Sequence, residues 1–340
     1  MPPHLVSRRT LAILAWITCF TVYSLWVGLP TKRGNVLIWV SLAVFAFGVD
    51  HPRSTIRSFV TTWLPLFLAL GTYDLLRGVS DGQESDAHTW PHLNLDLWLG
   101  GGRTPSELLQ RWLWTPGTPH WWDYLAWAVY QSHFFTGLLV AVVLWSHGHR
   151  RAAPYIVGIA ALSWAALATY WLYPAQPPWM TARDGLTGPV TRIVHEMWSH
   201  VGLEKAARVF STERAGSSRY ANPVAALPSL HAAFPMFIAV MLWSRRRRLN
   251  LALAAYALAM GTVLVYAGEH FTFDILLGWI YAVTVALITR HLAERRPQVL
   301  TALFHRPDPA PSDEAADGGG ASGAEAAPVA ALAANHVPMR

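Results

Sequence analysis

Eight apolar runs, set apart by polar or arginine-bearing segments, constrain this chain more than any other feature. They cover 11–30, 35–49, 59–76, 122–146, 154–173, 232–243, 251–267 and 274–290. The hydrocarbon core of a bilayer takes about 20 apolar residues as a helix, with a range of roughly 17–25. Backbone polar groups there must be satisfied within the segment itself. The runs therefore predict transmembrane helices and an all-α fold, a polytopic transmembrane helical bundle with a core of about six helices. The second and sixth runs are short. The sixth reaches a spanning length only if it begins near Pro228, and a re-entrant first pair would give six or seven spans. Composition agrees, with 53% hydrophobic and 14% charged residues against roughly 25% charged in soluble domains.

Charge placement gives sidedness. Arg8/Arg9, Arg53/Arg57, Arg150/Arg151, Arg245 to Arg248, and Arg290/Arg295/Arg296 fall on one side under the eight-span count. By the positive-inside rule both termini are then cytoplasmic, and 77–121, 174–228 and 268–273 face outward in a multi-pass cell-membrane protein. Lys32 and Arg33 fall on the opposite side. The net charge of +6 is explained by these loops, so no nucleic-acid partner is implied. The 18 tryptophans suit membrane interfaces. The single Cys19 excludes an internal disulfide and a thiolate metal cluster. The first run is too long, and lacks the cleavage site, for a signal peptide.

Three regions follow: an N-terminal transmembrane hairpin at 1–58, a catalytic transmembrane domain at 59–291, and a disordered cytoplasmic tail at 305–340. The tail is rich in Pro, Ala, Gly, Asp and Glu and cannot bury a core. "TPSE" at 104–107 reads as a capping box. The helix it opens carries Leu108, Leu109, Trp112 and Leu113 on one face, to lie in the interface or pack on the bundle. A second loop helix, from Pro189 to about Phe210, carries Ile193, Val194, Met197, Trp198 and Val201.

Two of the 15 histidines stand at the outer starts of apolar runs. "ALPSLHAAFP" places His231 at the start of the sixth, and "GEHFTFD" places His270 at the start of the eighth. Asp274 lies one helical turn after His270, on the same face. Helix N-termini attract anions, and two of them with histidines suit a phosphate group. Asp274 can hold one nitrogen of His270 and leave the other to attack, while a protonated His231 can protonate a leaving oxygen. Ionisable groups at membrane depth usually mark function. A His–Asp pair at this spacing can also ligate zinc, but no further tight ligand cluster accompanies it. No metal or other cofactor is expected.

These segments resemble the type 2 phosphatidic acid phosphatase superfamily. The second motif of that family, P-S-G-H, aligns with Pro228-Ser229-Leu230-His231, and the end of its third, H-x-x-x-D, with His270 to Asp274. The resemblance implies a phosphohistidine on His270, oriented by Asp274, with His231 as general acid and later base. The Ser-Arg that opens the third motif is replaced by Val263 and Leu264. The first motif has no recognisable counterpart, and Leu230 replaces glycine. These departures resemble an inositolphosphotransferase-like branch, related to inositolphosphorylceramide synthases. "YDLLRG" at 73–78, "YQSHF" at 130–134 and "PAQPPW" at 174–179 are similar to its bacterial members.

The implied substrate is a lipid phosphoester in the bilayer, with an inositol- or sugar-bearing lipid as a possible acceptor. Phosphate needs cations or N–H donors. Candidates are Arg77 with Asp74 and Tyr73, Arg183, Arg219, Ser229 and His133, with Glu269 as a possible selector of the acceptor. Hydrolysis of polyprenyl diphosphate or phosphatidate is the alternative chemistry. A lipid-binding or transport protein without chemistry is the alternative of another class, in which His231 and His270 would tolerate alanine.

Overall fold

The computed structural model describes residues 7–28, 30, 33–79, 87–202 and 224–298, and at 33 and 77–79 the backbone alone. Helices α1 (Arg8–Trp26), α2 (Arg33–Phe47), α3 (Pro52–Ser58) and α4 (Leu64–Val79) come first. A π-helical turn at Phe59–Trp63 joins α3 to α4. Helices α5 (His92–Leu99), α6 (Pro105–Leu113), α7 (Trp121–Ser146), α8 (Ala152–Leu172), α9 (Pro178–Arg183) and α10 (Ile193–His200) follow. The last three are α11 (Leu230–Leu242), α12 (Arg247–Tyr266) and α13 (Thr272–Arg295). Among the described residues there is no strand. Two isolated parallel bridges, His88 to Ala175 and Ala175 to Ala225, knit three loop segments together.

All eight apolar runs are helical. Among the described residues, six helices are long and apolar enough to cross a bilayer, namely Arg8–Trp26, Pro52–Leu76, Trp121–Ser146, Ala152–Leu172, Arg247–Tyr266 and Thr272–Arg295. The chain is thus an all-α, multi-pass membrane protein. Gly34–Phe47 and Leu230–Leu242 are shorter. The sixth run does not reach back to Pro228. Ser229 caps it, accepting the N–H of Ala232 at 3.3 Å.

The short helix sits at the centre. α11 packs against α13, α12, α8 and α7. Ala233, Phe237, Ile238 and Met241 of α11 are buried with Ala282 and Ala286 of α13 and Leu162 and Ala166 of α8. Lipid tails are as apolar as these side chains, so close packing of small residues holds such a bundle together. α1 buries no residue, which suits a helix facing lipid. Arginines close the far end of α11. Arg151 Nη1 donates to the carbonyls of Met241 at 2.8 Å and Trp243 at 3.1 Å, and Arg290 Nη1 donates to that of Val240 at 3.2 Å. Cations there complement the helix dipole and take up orphan carbonyls.

The loop helices differ in part from expectation. The capping box of α6 is present: Glu107 N–H donates to Thr104 Oγ1 at 3.2 Å, and Thr104 N–H to Glu107 Oε2 at 3.2 Å. Its buried residues, however, are Ser106 and Gln110, while Trp112 and Leu113 are exposed. The reason is Gln110. Its amide donates to the carbonyls of Thr191 and Tyr266, both at 2.8 Å, and accepts the Thr191 N–H at 2.7 Å. A polar pin holds this helix, beside Leu109, which packs on buried residues of α10 and α12. In α10 the stripe Ile193, Val194, Met197 and Trp198 is buried, so it packs on the bundle. The expected continuation to Phe210 and the tail at 305–340 lie outside the described residues.

Candidate active site

The site forms where the starts of α11 and α13 meet. The N–H of Ser229 donates to the carbonyl of Asp274 at 3.0 Å. Gly278, one turn further along α13, faces the same strip of backbone. A Cβ there would lie 2.4 Å from the Ser229 carbonyl oxygen, so only glycine lets the two helices meet this closely. Tyr170 of α8 donates to the Pro228 carbonyl at 2.8 Å, fixing the approach to α11. Gly268 turns the chain between α12 and α13 at φ +73°, and a Cβ there would press on Val190 at 2.6 Å.

This framework brings the three leading candidates together. His270 Nδ1 lies 3.4 Å from Asp274 Oδ2. That oxygen also accepts the Phe271 N–H at 3.0 Å, so Asp274 caps α13 while facing the histidine. Asp274 is fully buried and His270 is 7% exposed. The His231 and His270 rings are 5.7 Å apart, centroid to centroid. His133 of α7 lies 4.1 Å from His231, and Tyr130 stacks on His231 at 4.9 Å. Three histidine rings thus form one cluster, with a buried carboxylate behind one of them.

Glu269 has a definite place. Its carboxylate takes a two-pronged ion pair from Arg192, Nε and Nη2 each at 3.1 Å. His195 Nδ1 lies 3.4 Å away on the other side. Burial works to raise the Glu269 carboxyl, but the Arg192 charge, helped by His195, outweighs it and holds the acid far below the ordinary carboxylate range. Arg192 also lies over the Trp179 ring at 4.5 Å, a contact suited to its flat guanidinium. The loop that carries His270 is therefore gripped by the segment just before α10.

Under the loop, α5 provides a second grip. Both oxygens of Asp96 accept the Thr272 N–H, at 3.0 and 3.2 Å, and His92 packs beneath Phe271 at 5.2 Å between rings. Burial pushes the Asp96 carboxyl up to about 6 despite these donors. The folded state therefore holds this proton more tightly than the unfolded chain. The stability Asp96 contributes is complete at low pH and is lost as pH rises from its ordinary 3.8 to about 6. That range corresponds to roughly 3 kcal/mol. Asp96→Asn is expected to raise the thermal midpoint of the purified protein at pH 8 and not at pH 4; an equal change at both would contradict this origin.

The other candidates are distributed. Ser229 is buried, and its hydroxyl serves as a helix cap. Tyr73 is buried in the apolar core with Leu66 and Leu70, a packing position, and Asp74 is half-buried on α4. The Arg77 side chain and the whole of Arg219 lie outside the described residues. Arg183 is exposed and pairs with its neighbour Asp184 at 2.8 Å. Among the described residues, the cation brought to the loop that carries His270 is Arg192, which, like His195 and Asp96, is not among the residues singled out by sequence. A signal existed for Arg192 only in its being one more arginine in an outer loop.

A family model described as the PAP2 superfamily matches residues 93–288, more than half of the chain, and that stretch holds both histidine motifs. The chain belongs to the PAP2 superfamily. Among curated proteins and among solved structures, none matches the chain. PAP2 membership, with the apolar helices, makes this a membrane protein of the phosphatase and phosphotransferase type. The matched span begins inside α5 and takes in Asp96, Arg192 and the whole loop that carries His270, so the grips described above lie within the PAP2 match of this chain.

Proposed function

We propose that the protein is a lipid phosphotransferase that works through a phosphohistidine on His270, of the inositolphosphotransferase-like kind. One observation carries this reading: His270 lies between Asp274 at 3.4 Å and the His231 ring at 5.7 Å. Asp274 favours the Nδ1–H tautomer and so leaves Nε2 as the nucleophile. Attack forms a nitrogen–phosphorus bond and breaks the phosphorus–oxygen bond to the leaving alcohol, which takes a proton from His231. An acceptor hydroxyl then gives its proton to His231 and attacks phosphorus, releasing His270. His133, against His231, is placed to influence that proton. The starts of α11 and α13 add N–H groups for the developing charge. No step calls for a metal.

Arg192 is the phosphate-binding cation in this reading. Glu269 and Trp179 fix its fork, and its Nη1 remains for a phosphate oxygen. Arg192→Ala is expected to raise KM for the lipid phosphate by roughly 10- to 100-fold, the worth of a charge-assisted contact. Arg192→Lys should recover only part of this, because lysine cannot hold the two-pronged pair. An unchanged KM in Arg192→Ala would remove this role.

The arginines at the opposite end of α11 support an outward-facing site with cytoplasmic termini. Product analysis tests the reaction. The purified protein, given a radiolabelled lipid phosphate with and without an inositol-bearing acceptor, should yield an acid-labile phosphoenzyme and a new phosphorylated product. Inorganic phosphate alone would favour hydrolysis of polyprenyl diphosphate or phosphatidate. Neither phosphoenzyme nor product would leave only lipid binding or transport.

A further inference from the structure

A small cavity adjoins the catalytic histidines between α7 and α10. Its volume is about 30 Å³, and Tyr130, Gln131, Phe134, Val194, His195 and Trp198 line it. Tyr130 and Phe134 also flank the His231 ring, at 4.9 and 6.2 Å, and His195 contacts Glu269. The cavity thus shares walls with both motifs. Gln131 is its unusual member. The residue is 4% exposed, and among the described residues neither its amide oxygen nor its amide nitrogen has a hydrogen-bond partner. Buried amides are nearly always paired, and an orphan on an interior cavity calls for a visitor that supplies the missing bonds.

Size and chemistry narrow that visitor. One water-sized group needs about 10–15 Å³ of such space, so the cavity takes one or two hydroxyl-sized groups. A sugar or inositol ring cannot enter whole. An amide offers one acceptor and two donors side by side, which matches a hydroxyl that must both give and take a hydrogen bond. Tyr130, Phe134, Val194 and Trp198 supply most of the remaining wall, and in this reading phosphate has its cation at Arg192.

We infer that Gln131 is a specificity-determining residue that holds a hydroxyl of the acceptor alcohol, next to the hydroxyl that attacks phosphorus. The inference rests on the phosphoryl-transfer reading above and deepens it. A site built to bond a hydroxyl discriminates against an analogue that lacks it, because its polar group is then left unpaired. The acceptor class favoured is a polyol, in which a second hydroxyl sits close to the reacting one. A simple alcohol is disfavoured.

The test is a competition within one reaction. The full-length protein in detergent receives phosphatidic acid as donor, with glycerol and 1-propanol at equal concentrations. The ratio of phosphoglycerol to phosphopropanol is measured for the unaltered protein, Gln131→Leu and Gln131→Asn. The ratio does not depend on how much protein is folded. The unaltered protein should favour glycerol by about tenfold beyond the ratio of hydroxyl groups, the effect of one hydrogen bond. Gln131→Leu should remove that preference, and Gln131→Asn, with its amide withdrawn by one carbon, should fall between. An equal ratio in all three proteins overturns the subsite. So does a change confined to inorganic phosphate release, which would make the visitor water. If both variants make no product at all, Gln131 is a structural prop and the subsite is overturned. Failure of the unaltered protein to form a phosphohistidine is a separate result, and it would overturn the underlying reading first.

Discussion

His270→Ala is expected to abolish the phosphoenzyme and to lower turnover by on the order of 10,000-fold or more. The argument is that the side chain makes the covalent bond itself, so nothing else in the site substitutes for it. Its surroundings strengthen this expectation. The ring is buried, backed by the Asp274 carboxylate at 3.4 Å and faced by the His231 ring at 5.7 Å. Asp274→Asn should cost less, roughly 100- to 10,000-fold, because it disturbs the tautomer and leaves the nucleophile present. The order of the two effects matters as much as their size. Trapping with radiolabelled lipid phosphate, followed by acid treatment, reads both. Appreciable turnover in His270→Ala would end the nucleophile assignment.

The second large effect concerns a residue with no chemistry. Gly278→Ala places a methyl group 2.4 Å from the Ser229 carbonyl oxygen, a distance that requires movement of backbone. Overpacking of this kind costs about 1–3 kcal/mol. It also spreads α11 from α13, and those helices carry His231 and His270. A displacement near 1 Å costs on the order of 100-fold in rate when reacting groups must align. Gly278→Ala is therefore expected to lose roughly 100-fold in turnover together with several degrees in thermal midpoint. Ile280→Ala, on the exposed face of the same helix, should leave both almost unchanged. A Gly278→Ala protein with the rate and midpoint of the unaltered one would show that the close approach is dispensable.

What could be read from the sequence depended on how far apart in the chain the cooperating residues lie. His270 and Asp274 are one helical turn apart, and each histidine sits at a helix start. The helical period and the capping rules therefore singled out these residues without any knowledge of tertiary structure. The apolar runs likewise declared the spans. The supporting groups had no such local signature. Arg192 and Glu269 are 77 residues apart, and Asp96 and Thr272 are 176 apart. Only folding brings them together, so Glu269 had no readable partner and Arg192 looked like any loop arginine. The helix α6 was legible only in part for a related reason. Its capping box is local and was legible, but it is pinned by Gln110, whose carbonyl partners lie 81 and 156 residues away. Arg183 shows the opposite case, a charge whose nearest acid, Asp184, is its neighbour in sequence.

The bond from the Ser229 N–H to the Asp274 carbonyl joins main chain to main chain. No exchange of the Asp274 side chain removes it, and neither does any change at Ser229 short of proline. The contact between the two helix starts is thus carried by main-chain atoms, apart from the carboxylate that faces His270, and asparagine keeps an oxygen to accept the Phe271 N–H. An experimenter can alter the carboxylate and keep the contact. Asp274→Asn is in this sense a ready-made snare: a slowed site of native shape, in which a captured lipid would persist long enough for its identity to be read by mass spectrometry.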